Sequence, residues 1–198
     1  METFEKPRTR RRAFPKMAAL PRFTSIDEFI DWLPQDTSIK YEWNNGKIEQ
    51  TDHMKFDERI LVSRLCRRFT QTQAYQNGGD LLLEVDIHIS PDKYRRPDAA
   101  FLTPSQIGGS ESQVKYAIPS FLVEVISPND RINYLENKLR EYFDAGVQVV
   151  WYIFPNTKQV WVYSDPLHHI VCSGADICSA APALPDFEIS LEEIFRLP

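Results

Sequence analysis

The chain has 198 residues, one domain's length, and its 42% hydrophobic and 26% charged content is that of a folded globular protein, not a disordered or fibrous one. No apolar run approaches the roughly 18 residues of a membrane span, and the start lacks the apolar stretch of a signal peptide, which points to the cytoplasm. Residues 1–16 hold six cations against two glutamates within a net charge of −5, so the body is acidic and lacks the basic face of a constitutive nucleic-acid binder.

Residues 1–22 carry Pro7, Pro15, Pro21 and the basic cluster without periodicity, and read as a disordered basic arm. Met17 is an alternative start, and the arm is either a phosphate-contacting tail or a solvated one. Residues 23–198 are expected to form a single domain. Thr24 or Ser25 caps a first helix with Phe29, Ile30 and Leu33 on one face, stopped by Pro34. Tyr41 to Gln50 reads as a hairpin, because Asn45-Gly46 accepts the positive φ values of a two-residue turn. From Asp52 to about Gln73 the spacing of Phe56, Ile60, Leu61, Leu65 and Phe69 predicts an amphipathic helix.

Leu81 to Ser90 alternates, with Leu83, Val85, Ile87 and Ile89 facing the core and Glu84, Asp86 and His88 facing solvent, as in a half-buried strand. Strands follow over Ala99–Thr103 and Phe121–Ser127, the second apolar on both faces except at Glu124 and therefore central. A helix over Ile132–Ala145 stops at Gly146, and strands are expected over Val147–Phe154 and Gln159–Tyr163. The tail is featureless up to Leu184-Pro185 and a short last helix around Leu191 and Ile194. This order builds a mixed central sheet flanked by helices, of the α/β class, with an N-terminal hairpin. Cys66, Cys172 and Cys178 form no CxxC and read as packing residues.

Glu124 is the most informative residue. An ionised carboxylate inside Phe-Leu-Val-Glu-Val-Ile costs several kcal/mol unless a cation, hydrogen bonds or protonation compensate it, so it is half of a buried ion pair, a residue at a strand end that reaches water, or a metal ligand at a strand end. Asp98 follows Pro97 at the start of the preceding strand and falls beside Glu124 if the strands are neighbours. Two converging carboxylates repel unless a proton or a hard divalent ion joins them, and Mg²⁺ typically takes one or two carboxylates with waters and phosphate oxygens. Lys138 lies at the margin of the last long helix's apolar stripe, placed either to snorkel into solvent or to reach the sheet edge and stabilise charge on a phosphoryl oxygen. Asp86, His88, His53 and His168-His169 form weaker constellations, and no Walker loop, dinucleotide fingerprint or nucleophile elbow occurs.

Tyr41-Glu42 before a glycine hairpin, Arg96-Pro97-Asp98, Val123-Glu124-Val125-Ile126-Ser127-Pro128, Lys138 with Tyr142, Ala145-Gly146-Val147, Trp151 and Leu184-Pro185 together carry a family likeness. Over roughly Ser25 to Leu197 the chain resembles the Uma-two family of restriction endonucleases in the PD-(D/E)XK nuclease superfamily. The resemblance implies a restriction-endonuclease-like fold and DNA hydrolysis with Mg²⁺, for which Mn²⁺ can substitute. It implies Asp98 and Glu124 as metal ligands, with Lys138 replacing the lysine that the superfamily carries where Ile126 stands here. Glu42 matches the family's early glutamate near the metal, and a homodimer is the family's habit. The alternatives are a catalytically inactive dimeric interaction or regulatory module that keeps the nuclease fold, and hydrolysis of another phosphate ester.

Overall fold

The computed structural model describes residues 20–34, 39–108 and 117–196; of the basic arm expected over residues 1–22, only residues 20–22 lie within the described residues. Ser25 caps α1 (Ile26–Trp32), its hydroxyl accepting the Glu28 N–H at 3.2 Å. β1 (Ile39–Asn44) and β2 (Lys47–Asp52) form the expected hairpin, turned at Asn45 and Gly46 with φ of 48° and 82°. α2 (Phe56–Phe69) buries Leu61, Val62, Leu65 and Phe69, and α3 (Gln73–Gln76) follows it. Phe56 and Ile60 were expected on the buried stripe of α2, but both are exposed.

The strand expected over Leu81–Ser90 is two strands. β3 (Asp80–Leu83) ends before Glu84, whose φ of 45° breaks the extended path, and β4 (Ile87–Ser90) joins a different sheet. This corrects the expected solvated face: His88 is buried, and Asp86 pairs with Arg96. Alternation within one segment cannot reveal that its halves pack against different partners.

β5 (Lys93–Arg95), β6 (Ala99–Leu102), α4 (Pro104–Gly108) and β7 (Phe121–Val125) come next. α5 (Ile132–Ala145) ends at Gly146, whose φ of 105° suits glycine; β8 (Val149–Phe154) starts two residues after the expected Val147, and β9 (Gln159–Tyr163) stands as expected. The tail that looked featureless contains β10 (His169–Cys172), β11 (Ile177–Ala180) and β12 (Leu184–Ser190) before α6 (Leu191–Phe195).

Among the described residues a six-stranded mixed sheet runs β10-β9-β8-β7-β6-β3, a four-stranded sheet runs β2-β1-β5-β4, and β11 pairs with β12. β7 and β8 are parallel and joined through α5; the other neighbours in the large sheet are antiparallel. Successive residues of a strand point to opposite faces. On β7, Phe121, Val123 and Val125 therefore face α2 and the C-terminal strands, where Phe121, Trp151 and Phe187 pack ring against ring. Leu122 faces the other way, toward Leu139 and Tyr142 of α5 and Ile87 and Ile89 of β4. A third apolar cluster, Phe29, Trp43 and Tyr94, fastens α1 to the small sheet. No helix among the described residues is long and apolar enough to cross a membrane.

Candidate active site

The same parity that turns Leu122 toward α5 turns Glu124 there as well. β6 runs antiparallel to β7 with Ala99 opposite Val123, so Asp98 falls opposite Glu124 in that register and shares its face. Such cross-strand pairs have Cβ atoms about 4.5–5.5 Å apart. The proline-led strand start places Asp98 at the end of the large sheet, where it and Glu124 line one cleft, and Asp98 Oδ2 accepts the N–H of Val125 at 2.7 Å.

β1 supplies the opposing wall. Its odd residues Tyr41 and Trp43 go to the aromatic cluster around Phe29, so its even residues Lys40 and Glu42 project from the other face. Lys40 Nζ donates to Asp98 Oδ1 at 2.7 Å. Glu42, 0% exposed, accepts four hydrogen bonds: Lys138 Nζ at 3.0 Å and the Arg96 N–H at 3.0 Å on Oε1, Arg95 Nη1 at 3.1 Å and Tyr134 Oη at 2.9 Å on Oε2. The register places Glu49 opposite Glu42. Those two like charges coexist because Arg95 Nη1 binds both, reaching Glu49 at 2.5 Å, while its Nε and Nη2 grip Glu141 of α5.

α5 completes the centre. Tyr134, Lys138 and Tyr142 recur every four residues and so share one helix face. Lys138 lies 2.8 Å from Glu124 Oε1 and 3.0 Å from Glu42 Oε1, with the rings of Tyr134 and Tyr142 5.8 and 5.9 Å from its nitrogen. Tyr142 Oη donates to Glu124 Oε1 at 2.5 Å. Lys138 is thus buried where it was expected at the stripe margin; the carboxylates make burial tolerable.

Among the described residues the buried charges balance: Lys40, Arg95 and Lys138 against Glu42, Asp98 and Glu124. Burial pushes the Lys138 ammonium toward losing its proton, but Glu124 and Glu42 more than reverse this and hold it protonated well above the ordinary lysine range. Burial likewise pushes Glu42 up, and Lys138 and Arg95 overcome it to hold the carboxyl at about 2. Burial raises Glu124, with Lys138 opposing and the nearby Asp98 adding to the rise.

The depression of Glu42 has a measurable sign. Its ionised form is favoured by folding, so its contribution of ~3 kcal/mol is present above the unfolded value and fades as pH falls through the window from 4.5 toward about 2. Urea melts of wild type and Glu42→Gln should show wild-type stability falling across that window and the variant's curve lacking that component. Parallel curves would contradict the assignment.

Asp98, Glu124, Lys40 and Lys138 line a cleft of about 550 Å³, together with His53 and Asn129. Glu42 sits behind Lys138. Two side chains that sequence reasoning passed over take part: Lys40, and Glu84, which touches the lining residues, its Oε1 accepting the Met54 N–H at 3.3 Å and lying 3.1 Å from His53 Nδ1 and 4.0 Å from Lys40 Nζ. Lys40 had a signal, since it and Glu42 alternate with aromatics on a strand. Glu84 had none, because its placement depends on the break after β3.

Among the described residues no group of three His, Cys, Asp or Glu side chains is arranged to hold a metal ion. The centre offers two carboxylates, and Glu124 Oε2 has no hydrogen bond among the described residues. Hard oxygen donors of this number, opening on a cleft with room for waters and a phosphate, fit a divalent cation such as Mg²⁺.

Residues 26–192 match the model of the Uma2 family, described as "Putative restriction endonuclease". Over 86% of its length the chain superposes on 97% of a protein described as "a putative nuclease belonging to DUF820 from Anabaena variabilis ATCC 29413", with a TM-score of 0.75 and 20% identity, a likeness that speaks for the fold. A slighter match covers 57% of this chain and 12% of a chain in the cryo-EM structure of a DrdV–DNA complex, at TM-score 0.30 and 12% identity, and carries no argument. No curated protein matches the chain. The mixed sheet with its flanking helices is the restriction-endonuclease-like fold that the motifs implied, and the chain belongs to the Uma2 family.

Proposed function

We propose that this protein is a divalent-cation-dependent endonuclease that hydrolyses phosphodiester bonds of DNA in the cleft where Asp98 and Glu124 meet. The observation that carries the reading is the pairing of these carboxylates across adjacent strands, beside a buried lysine and at the wall of an open cleft. Asp98 and Glu124 would hold Mg²⁺, or Mn²⁺ in its place. The bound ion supplies Lewis acidity toward a phosphoryl oxygen and a more acidic water.

The chain's own residues have separable roles in this reading. Lys138, 2.8 Å from Glu124 Oε1 at the cleft wall, stabilises negative charge developing on the phosphate. Tyr142 fixes the Glu124 carboxylate through Oε1, while Oε2 carries no hydrogen bond among the described residues. Glu42 is a positioning residue: its four hydrogen bonds leave it committed to holding Lys138 and the Arg95-Arg96 segment. In the homodimer that the resemblance implies, two such centres would serve the two strands of a duplex.

Supercoiled plasmid incubated with Mg²⁺ or Mn²⁺ should be nicked or linearised, and EDTA should stop the reaction. Plasmid left intact under both metals, with protein that melts cooperatively, would end the enzyme reading. The balance of buried charges favours a second reading, a regulatory module that keeps the fold without using the site. A metal-using site raises the melting temperature when Mg²⁺ is added, whereas the silent module melts at the same temperature with or without it.

A further inference from the structure

We propose that Lys40 is the resident counter-cation of the metal subsite on Asp98, and that a divalent ion enters by exchange, the ammonium leaving Asp98 for Glu84. This rests on the reading that Asp98 and Glu124 bind the ion.

Lys40 Nζ sits 2.7 Å from Asp98 Oδ1, close enough to take the oxygen that a metal ion would use. The other oxygen, Oδ2, is committed to the Val125 N–H at 2.7 Å. A cation taking that oxygen would stand close to the Lys40 ammonium, and the two positive charges repel unless Lys40 moves away. The charge balance points the same way. Lys40 on Asp98 and Lys138 on Glu124 already set an ammonium against each of the two carboxylates, so a dication added without displacement brings further positive charge into a poorly solvated centre, where such charge is costly.

The departing ammonium keeps the Arg96 carbonyl at 3.5 Å and has a second carboxylate nearby. Glu84 Oε1 lies 4.0 Å from Lys40 Nζ in the present arrangement, so a small rotation of the flexible lysine stem brings the two into contact. Glu84 is held for this role. Its φ of 45° turns the chain between β3 and β4, its N–H donates to the Asp98 carbonyl at 3.1 Å, and its Oε1 is anchored by the Met54 N–H and His53. A residue in that backbone region is uncommon outside glycine, asparagine and aspartate, which marks Glu84 as placed by its surroundings and not by preference. Lys40 and Asp98 both line the cleft, so the exchange occurs at its wall.

The exchange predicts opposite effects for substitutions at one position. Mn²⁺ alone is titrated calorimetrically into DNA-free protein, with the metal-free melting curve of each variant recorded beside it. Lys40→Met removes the competing cation and should bind Mn²⁺ at least about tenfold more tightly than wild type. Lys40→Arg, which grips a carboxylate with two donors, should bind it more weakly. Glu84→Gln should weaken binding severalfold in the wild-type background and have little effect when combined with Lys40→Met, because the displaced ammonium is then absent.

Equal or weaker binding by Lys40→Met, in protein that melts cooperatively, overturns the exchange. Should that variant not fold, Lys40→Arg binding as tightly as wild type overturns it equally well. Asp98→Asn separates the two layers: Mn²⁺ binding that survives this substitution sinks the two-carboxylate site itself, and the exchange with it. Binding abolished in Asp98→Asn but insensitive to residue 40 sinks the exchange alone.

Discussion

Asp98→Asn should lower metal-dependent plasmid cleavage by roughly 10²–10³-fold, the scale of several kcal/mol of charge stabilisation lost from the reacting centre. The substitution keeps the shape of the side chain and removes one of two converging charges. An amide oxygen can still accept the Val125 N–H now bound at 2.7 Å, so the end of β7 should stay in place. The amide's NH₂ would then face the Lys40 ammonium, which loses its 2.7 Å partner and must turn toward Glu84. A modest loss of stability, about 1–3 kcal/mol, accompanies that change. Activity should therefore collapse while the protein still melts cooperatively. Cleavage by folded Asp98→Asn at the wild-type rate would leave the proposed centre without support.

Glu42→Ala should have the largest effect on stability, a loss of about 3–5 kcal/mol in denaturant unfolding. The reason is the fate of its partners. Removing one carboxylate from a fully buried position strips Lys138 of a 3.0 Å contact and Arg95 of a 3.1 Å contact, and leaves the Tyr134 hydroxyl and the Arg96 N–H without their acceptor. Arg95 retains Glu49 and Glu141, which limits the damage on that side. Among the described residues Lys138 retains Glu124 as its carboxylate partner. A domain stable by about 5–15 kcal/mol would lose a large fraction of its margin, and a chain of this size would melt roughly 10 °C lower. Unfolding midpoints within about 0.5 kcal/mol of wild type, the range of an ordinary surface change, would show that the buried cluster is not held by this carboxylate.

The two expectations divide the cluster by depth. Asp98 and Glu124 line the cleft, where removing charge should cost chemistry, whereas Glu42 lies behind Lys138, where it should cost the fold. A reversed pattern, with Glu42→Ala stable but inactive, would move Glu42 from a positioning to a catalytic role.

Much of this was legible in the chain. The Asn45-Gly46 turn, the helix stop at Gly146 and the strand over Gln159–Tyr163 follow from local rules, since turn dihedrals, capping and alternation are set by a few adjacent residues. The lone carboxylate in an apolar strand marked Glu124, because burial of charge demands a partner wherever that partner comes from. Other features depended on distant segments. Alternation over residues 81–90 looked like one strand; the break at Glu84 and the departure of β4 to the small sheet arise from pairing with β5, which the segment itself does not encode. The strands of the C-terminal tail are short and irregular, and they are held by packing on Trp151 and Phe121 more than by their own pattern.

By itself, then, the sequence determined the class of the fold, the order of its principal elements and the residue types able to hold a hard cation, because these rest on periodicity, turn chemistry and the cost of burying charge. Only the tertiary structure decided which charges meet. The register of β6 on β7 sets Asp98 opposite Glu124, and the seat of β1 against α5 brings Lys40 and Glu42 into the same centre. Electrostatic energy depends on distances of a few ångströms between groups up to 96 residues apart in the chain, and those distances exist only once both sheets and the helix have packed.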